Sequence, residues 1–183
     1  MPHLGAKTLR ELLDYNPDTG VLVWKPRALS WFRSGKYSAE RICATWNSKH
    51  AHKEAGSINP DGYRCVTILG RTYAGHTVAW KIHTGQEPEG EIDHENGRRD
   101  DNRIVNLRDV SRSLNTQNQR KYRTNTSGHV GVKWSAKMQK WEAQIGSQPR
   151  VYLGIFDNLE AAVAARKKAE REHGYHRNHG RHA

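Results

Sequence analysis

Cysteine is nearly absent from this sequence, which contains only Cys43 and Cys65. Two thiols are too few for a zinc site built from cysteines or for a framework of disulfide bonds. One bridge between the two is the alternative that the sequence leaves open. We expect two reduced thiols that pack inside the protein.

Long apolar runs are also missing. No stretch approaches the roughly 18 apolar residues that a helix needs to cross a bilayer. The N-terminal residues, MPHLGAKTLRELL, contain no apolar segment of the kind found in signal peptides. We therefore expect a soluble, cytoplasmic protein that has no membrane partner.

Apolar and acidic residues are both in short supply. Only 35% of the residues are hydrophobic, which favours two or three small cores over one large core. Lys and Arg number 30 against 19 Asp and Glu, so the formal net charge is +11. An excess of this size favours a polyanionic partner, because each neutralised phosphate releases bound counterions. Charge alone would also fit a membrane surface, which the missing apolar runs argue against, and it leaves RNA open as a partner.

The first segment, residues 1–55, shows turn chemistry but little periodicity. TLRELL predicts a short helix, and NPDTG at residues 16–20 predicts a turn that leads into a strand at residues 21–24. Residues 28–55 show no clear pattern, and no structure is predicted for them.

The second segment, residues 56–123, alternates strand and helix patterns. A hairpin turn is predicted at residues 59–62, and GHTVAWKIHTG predicts a helix that ends at Gly85. His76 in this helix is expected to be a buried structural histidine. EIDHENGRRDDNRIVNL predicts a strand followed by a long polar loop, and SRSLNTQNQRKY predicts a second helix.

The third segment, residues 124–183, has the most regular pattern. HVGVKW, KWEAQI and RVYLGIF alternate with a period of two, and LEAAVAARKKAEREH is typical of an amphipathic helix. We expect Asp157 to cap this helix, Glu160 to occupy the capping-box position, and Gly174 to end it. The apolar face of the sheet is predicted to contain Val130, Val132, Trp134, Trp141, Ala143, Ile145, Val151, Leu153 and Ile155. The fold class is therefore α+β, with a C-terminal three-stranded antiparallel sheet packed on one helix.

The residues suited to catalysis lie between positions 92 and 118. Histidine is a natural base near neutral pH, and Asp93 precedes His94 directly. A hard divalent cation can neutralise charge on a phosphate, and magnesium takes only one or two protein oxygens. Neighbours on a strand point to opposite faces, so both can serve one site only if His94 lies at the strand's edge. The polar residues that follow are Asn102, Asn106, Asn115 and Asn118.

This pattern resembles the HNH endonucleases, whose site is a β-β-α-metal core. The resemblance spans about residues 76–118, through HTVAW, IDHENG, DNRIVNLR and the Asn-bearing helix. It implies that His94 is the general base, and that Asn106 holds the loop against the strand and helps to orient His94. It also implies that Asp93 and Asn115 are metal ligands. Asn115 stands where the family name has its second His, and an amide oxygen suits Mg²⁺ or Mn²⁺ better than an imidazole would.

Arginine is concentrated around this pattern. Seven Arg and one Lys stand against three Asp between positions 97 and 123. These residues could form a solvated loop and helix face. We expect instead that they bind phosphates beside the scissile one. The residues predicted to do so are Arg98, Arg99, Arg103, Arg108, Arg112 and Arg120.

The C-terminal segment resembles the DNA-binding domain of plant ethylene-response factors. The resemblance covers about residues 127–174, and it implies that the outward face of the sheet lies in the major groove. Val130 and Gly146 stand where those domains usually carry arginine, so different base recognition is expected. The contact residues that the resemblance implies are Lys133, Gln144, Arg150 and Tyr152.

Together these features predict a metal-dependent endonuclease that cuts double-stranded DNA. Its organisation is that of phage or homing enzymes, so we expect a sequence preference. We also expect Mg²⁺ or Mn²⁺ as the cofactor and no small-molecule cofactor. The sequence leaves the oligomeric state open, with a monomer favoured, and it does not say whether one strand or both are cut. Two alternatives remain open at this point, a DNA-binding regulator that no longer cuts and a nuclease that acts on RNA.

Overall fold

The computed structural model describes residues 4–111, 125–146, 149–175 and 179. The chain divides into two compact units after Ser111. The described residues form four α-helices and four small antiparallel sheets, so the predicted α+β class is confirmed. No helix in these ranges is both long enough and apolar enough to cross a membrane.

The first unit opens with a helix and a hairpin. Helix α1 (Ala6–Leu12) runs directly into strand β1 (Leu13–Tyr15), which pairs antiparallel with β2 (Leu22–Trp24). In the connecting turn, the side-chain oxygen of Asn16 accepts hydrogen bonds from two backbone N–H groups. Gly20 closes the turn with a φ of +76°, a conformation that favours glycine. The helix and strand predicted in this stretch are confirmed.

Helix α2 (Ala39–His50) lies in the stretch for which no structure was predicted. The Ser38 hydroxyl caps it by accepting a hydrogen bond from a backbone N–H of the first turn. None of its residues is fully buried, and most of them are polar. Trp46 attaches the helix to the unit, with its ring edge-on to Trp24 and the Arg27 guanidinium 3.8 Å from its centroid.

A three-stranded sheet and a helix follow. Strands β3 (Ser57–Ile58), β4 (Arg64–Ile68) and β5 (Arg71–Ala74) pair in chain order. Helix α3 (Gly75–Thr84) starts directly after β5 and ends at Gly85, whose φ is +79°. The predicted hairpin and the predicted helix end are both confirmed.

The last elements of the first unit are two strands separated by a long loop. Strand β6 (Glu91–His94) pairs antiparallel with β7 (Leu107–Val110), and His94 lies opposite Leu107. Residues 95–106 form the loop, which closes with one turn of 3-10 helix at Ile104–Asn106. The helix predicted over SRSLNTQNQRKY falls largely outside the described residues.

One main core joins the N-terminal elements to the β3–β5 sheet and to α3. A second cluster, built from Ala79, Ile92 and Leu107, packs α3 against β6 and β7. Tyr15 packs against both clusters. Cys43 and Cys65 are free and half-buried, in agreement with the prediction of reduced thiols. The buried members of the main core are Leu9, Leu12, Leu13, Leu22, Trp24, Ala55, Val66, Ile68 and Val78.

The second unit is the predicted sheet packed on one helix. Strands β8 (Val132–Ser135), β9 (Lys140–Ile145) and β10 (Val151–Phe156) form an antiparallel sheet with β9 in the centre. Helix α4 (Leu159–Glu172) packs against this sheet. Its core contains Val132, Ala143 and Ala162.

The predicted alternation along β10 is wrong at its C-terminal end. A register shift between Tyr152 and Gly154 inserts an extra residue opposite β9. The side chains that pack against the core are therefore Leu153 and Phe156, whereas Ile155 is 37% exposed. After the bulge, side chains predicted to face the core face outward, and those predicted to face outward face the core.

The cap of α4 is also one residue later than predicted. Asn158, not Asp157, accepts a hydrogen bond from a backbone N–H of the first turn. The Asp157 carboxylate instead lies 2.9 Å from the ammonium of Lys140. Glu160 is consequently at the second helical position and not at the capping-box position. Gly174, with a φ of +66°, follows the C-cap as expected.

Candidate active site

Asp93 and His94 lie at the end of β6, where the strand meets the loop. Both are buried, with 9% and 4% of their surface exposed. His94 is the last residue of the strand. The strand therefore ends at this pair of residues, where the alternation of side chains along a strand no longer applies.

The imidazole of His94 is held by Asn102. Its Nε2 lies 3.1 Å from the side-chain oxygen of Asn102, a residue that is only 1% exposed. With the amide oxygen of Asn102 towards the ring, Nε2–H donates this hydrogen bond, because a carbonyl oxygen can only accept. The lone pair of the neutral ring consequently lies on Nδ1, which can accept a proton.

Burial keeps His94 in its neutral form. Burial lowers the pKa of His94, and this effect outweighs the hydrogen bond to Asn102 and the nearby carboxylates, which raise it. A general base must be unprotonated at its working pH. The site meets this requirement near neutral pH.

Asn106 ties the loop together instead of contacting the imidazole. Its side-chain oxygen accepts a hydrogen bond from the backbone N–H of Asn96 at 2.9 Å. Its amide nitrogen donates to the carbonyl oxygen of Asp101 at 2.7 Å. The two asparagines of the loop therefore make different contacts. Asn106 bonds to the backbone of the loop, whereas Asn102 bonds to the ring of His94. Sequence spacing could not show which of them reaches the ring.

Asp93 and Asn115 are the metal ligands that the sequence predicts, and Asn115 lies outside the described residues. Arg108 faces Asp93 across the β6–β7 pair and donates to its Oδ2 from Nε at 3.0 Å and Nη2 at 2.7 Å. Within the described ranges, no three His, Cys, Asp or Glu side chains cluster as a metal site. A carboxylate and an amide oxygen nevertheless suit Mg²⁺, which takes few protein ligands and keeps most of its waters. The donor types therefore fit such an ion.

Two of the predicted phosphate-binding arginines are engaged with carboxylates. Arg108 is paired with Asp93, and Arg103 donates two hydrogen bonds to Asp101, at 2.7 and 2.6 Å. The hydrogen bond from Arg103 lowers the pKa of Asp101 to about 2. Both arginines thus stabilise the loop and its flanking strands.

The other predicted arginines differ in exposure. Arg98 is largely exposed, and its Nε lies 3.8 Å from an oxygen of Asp100. Arg99 is half-buried, donates to the carbonyl oxygen of Asp61 at 2.8 Å and stacks on the ring of Tyr63. Arg112 and Arg120 lie outside the described residues.

The rings of His76 and Tyr63 pack beside the imidazole of His94. The ring centroids of His76 and His94 are 5.1 Å apart, and Tyr63 lies within 6.0 Å of both rings. Burial, and to a lesser degree His94, lowers the pKa of His76 to about 4. Its buried Nδ1 has no hydrogen-bond partner among the residues described. The sequence predicted a structural histidine here but did not indicate that its ring would pack against His94.

In the second unit, the predicted contact residues lie on the outward side of the sheet. Gln144 and Tyr152 are cross-strand partners, and Tyr152 is 59% exposed. Arg150 precedes β10 and is exposed. Lys133 is paired with its cross-strand neighbour Glu142 at 3.0 Å.

A comparison with known families finds one match, in the first unit and the residues that follow it. Residues 73–117 match the HNH endonuclease family. No curated protein and no solved structure matches the chain. The match covers Asp93, His94, Asn102, Asn106 and position 115. The part of the chain that carries the candidate site is therefore similar to HNH endonucleases.

Proposed function

We propose that this protein is a metal-dependent endonuclease that hydrolyses double-stranded DNA, with His94 as its general base. The observation that carries the proposal is the buried imidazole whose Nε2 is held by Asn102 and whose Nδ1 keeps its lone pair. The similarity of residues 73–117 to HNH endonucleases and the net charge of +11 support it.

In the proposed reaction, Nδ1 of His94 takes a proton from a water molecule. The water oxygen then bonds to phosphorus, and the bond from phosphorus to the 3′ oxygen breaks. The departing oxygen takes a proton from solvent, which leaves 5′-phosphate and 3′-hydroxyl ends. The side-chain oxygen of Asn102 and the carboxylate of Asp93 stabilise the charge that His94 gains, since both raise its proton affinity.

Asp93 and Asn115 are the residues that we propose hold Mg²⁺ or Mn²⁺. When bound, the cation neutralises charge on the phosphate and on the departing oxygen. Arg108 holds the carboxylate of Asp93 in place from the neighbouring strand.

We propose that both units bind DNA. In the first unit, Arg98 and Arg99 contact phosphates beside the scissile one, whereas Arg103 and Arg108 are neutralised by Asp101 and Asp93. Arg112 and Arg120, which follow the first unit along the chain, add to the positive potential. In the second unit, the outward face of the sheet contacts the major groove through Lys133, Gln144, Arg150 and Tyr152. This arrangement gives a sequence preference of the kind that phage and homing endonucleases have.

Supercoiled plasmid DNA tests the proposal, because intact, nicked and linear forms separate on a gel. Nicked or linear product with Mg²⁺, and none with EDTA, is the expected result. Undiminished cutting in EDTA contradicts metal dependence. Binding without cutting under all metal conditions favours a DNA-binding regulator, and faster cutting of RNA in a parallel assay favours an RNA nuclease.

Asp93→Ala should raise the Mg²⁺ concentration that cleavage requires, or abolish cleavage. Mn²⁺ should restore part of the activity because it binds oxygen and nitrogen ligands more tightly than Mg²⁺. An unchanged metal dependence in this variant would remove Asp93 from the proposed metal site.

A further inference from the structure

The hairpin of β1 and β2 touches the loop that carries Asn102 at three points. The Tyr15 hydroxyl donates a hydrogen bond to the backbone carbonyl of Asn102 at 2.7 Å. The backbone N–H of Ile104 donates to the carbonyl of Pro17 at 3.0 Å. A Cβ at Gly20 would lie 2.6 Å from backbone atoms of the peptide that follows Asn102. The turn and the loop are therefore in direct backbone contact.

Asn102 makes few hydrogen bonds within its own loop. Its side-chain oxygen is hydrogen-bonded to Nε2 of His94, whereas its buried side-chain nitrogen has no hydrogen-bond partner among the residues described. Its backbone N–H donates to the nearby carbonyl of Asp100, at 3.2 Å within the same loop. The hydrogen bond from Tyr15 thus ties Asn102 to an element outside the loop.

Tyr15 is itself well fixed. Its ring packs against both apolar clusters of the first unit and lies edge-on to His83. Burial raises the pKa of Tyr15 to about 12, with smaller contributions from Asp101 and Asp18. The hydroxyl therefore keeps its proton near neutral pH and remains a donor.

We infer that Tyr15 is a positioning residue for His94. By fixing the backbone of Asn102, it fixes the amide oxygen that selects the Nε2-protonated form of the imidazole and aims Nδ1. The inference rests on the proposed function of His94 as general base. It makes the N-terminal hairpin a part of the active site.

Tyr15→Phe tests the inference, because it removes only the hydroxyl and keeps the packing ring. We expect kcat for plasmid cleavage to fall about tenfold with little change in KM, since a misplaced catalytic group costs up to about a hundredfold. Tyr73→Phe is the matched control, a half-buried tyrosine packed against the same core. An equal kcat for wild type and Tyr15→Phe would overturn the inference.

A double-mutant cycle separates positioning from general stability. Asn102→Ala keeps the backbone carbonyl that Tyr15 binds but removes the oxygen that holds His94. If Tyr15 acts through Asn102, Tyr15→Phe should change kcat less than twofold in this background. The same tenfold loss in both backgrounds would show that Tyr15 acts by another route.

A measurement without substrate makes the result independent of cleavage. The ¹⁵N NMR shifts of the His94 ring nitrogens at pH 8 report which nitrogen is protonated. Wild type should show protonated Nε2, and Tyr15→Phe should show a mixture of the two forms. Absence of any cleavage by wild type contradicts the proposed function alone, whereas an unchanged His94 spectrum in Tyr15→Phe overturns the role of Tyr15.

Discussion

The half-buried imidazole of His76 lies beside the buried imidazole of His94 in the first unit, with the two ring centroids 5.1 Å apart. A second positive charge at this distance in a buried site is unfavourable. Burial lowers the pKa of both residues, and that of His76 falls to about 4. At the scale of residues, the folded protein therefore keeps both rings neutral near pH 7.

This arrangement predicts a loss of stability in mild acid. The folded-state pKa of His76 is depressed to about 4, whereas an unfolded histidine titrates near 6.5. Below pH 6.5 the unfolded state binds a proton that the folded state does not, so stability falls as pH falls from about 6.5 towards 4. His76 should account for about 2 kcal/mol of the loss between pH 7 and pH 5.

Urea unfolding of wild type and His76→Gln at pH 7, 6 and 5 measures this contribution. His83→Gln is the control, an exposed histidine on the same helix. The free energy of unfolding should depend less steeply on pH in His76→Gln than in either other protein. Equal slopes for all three would contradict the assigned role of burial at His76.

Sequence patterns could identify the chemistry of the site but not all of its contacts. Asp93 and His94 are proposed from residue types and spacing, because the proposed reaction needs a base and an oxygen ligand. Asn102 and Asn106 look alike in sequence, and only the folded loop shows that Asn102 reaches the ring. Tyr15 is far from both along the chain, so no local pattern could have revealed it.

At the scale of elements, the turn between β1 and β2 is packed against the loop of residues 95–106. Gly20 combines a φ of +76° with a backbone neighbour 2.6 Å from its missing Cβ. Gly70, in the β4–β5 turn, has a similar φ of +81° but nothing within 4 Å. Substituting the two glycines in turn therefore separates two effects. Both substitutions strain the backbone, but only the one at Gly20 also displaces the loop.

Both Gly20→Ala and Gly70→Ala should lose about 1–2 kcal/mol of unfolding free energy from the left-handed backbone. Gly20→Ala should lose more, because its methyl group must push the loop away. Only Gly20→Ala should lower kcat in plasmid cleavage under conditions where both variants are folded. Equal effects of the two substitutions on kcat would contradict the bracing of the loop by this turn.

The bulge in β10 makes a second prediction at this scale. Phe156→Ala should cost about 2–4 kcal/mol of unfolding free energy, because it empties space beside the core of the second unit. Ile155→Ala should cost less than about 1 kcal/mol, because this side chain lies on the outward face. Thermal or denaturant unfolding measures both losses. A larger loss for Ile155→Ala than for Phe156→Ala would contradict the bulge in β10.

The elements that could be predicted are those with a strong apolar period or clear end signals. Strand β9 and helix α3 have both, and Gly85 marks the helix end. Helix α2 is mostly polar and buries no residue fully, so its capping serine and its amphipathic period, which matches that of α3, do not stand out in the sequence. The bulge in β10 was missed because a single inserted residue leaves the residue types unchanged while it reverses the face.

At the scale of the whole molecule, a net charge of +11 is distributed over two compact units. If the second unit reads DNA, removing residues 127–183 should lower affinity and flatten its dependence on salt. Each lost phosphate contact should reduce the slope of log affinity against log salt by about 0.9. The remaining protein should still nick plasmid at low salt and high concentration.

Arg150→Ala combined with Tyr152→Ala should reproduce part of this loss in the full chain. Lys168→Ala is the control, because it removes one exposed positive charge from helix α4. Binding of duplex DNA at several salt concentrations distinguishes the variants. If truncation leaves affinity and site preference unchanged, the second unit is not a DNA reader.

The most direct test of His94 as the general base compares cleavage and binding by His94→Ala. Cleavage of supercoiled plasmid with Mg²⁺ should fall by about 10²–10⁴-fold, because general-base catalysis typically contributes this much. Affinity for duplex DNA should stay the same, since the base acts on water and not on the bound ground state. His173→Ala, at the exposed end of α4, should cut like wild type. Cleavage by His94→Ala at the wild-type rate would contradict the proposal that His94 is the general base.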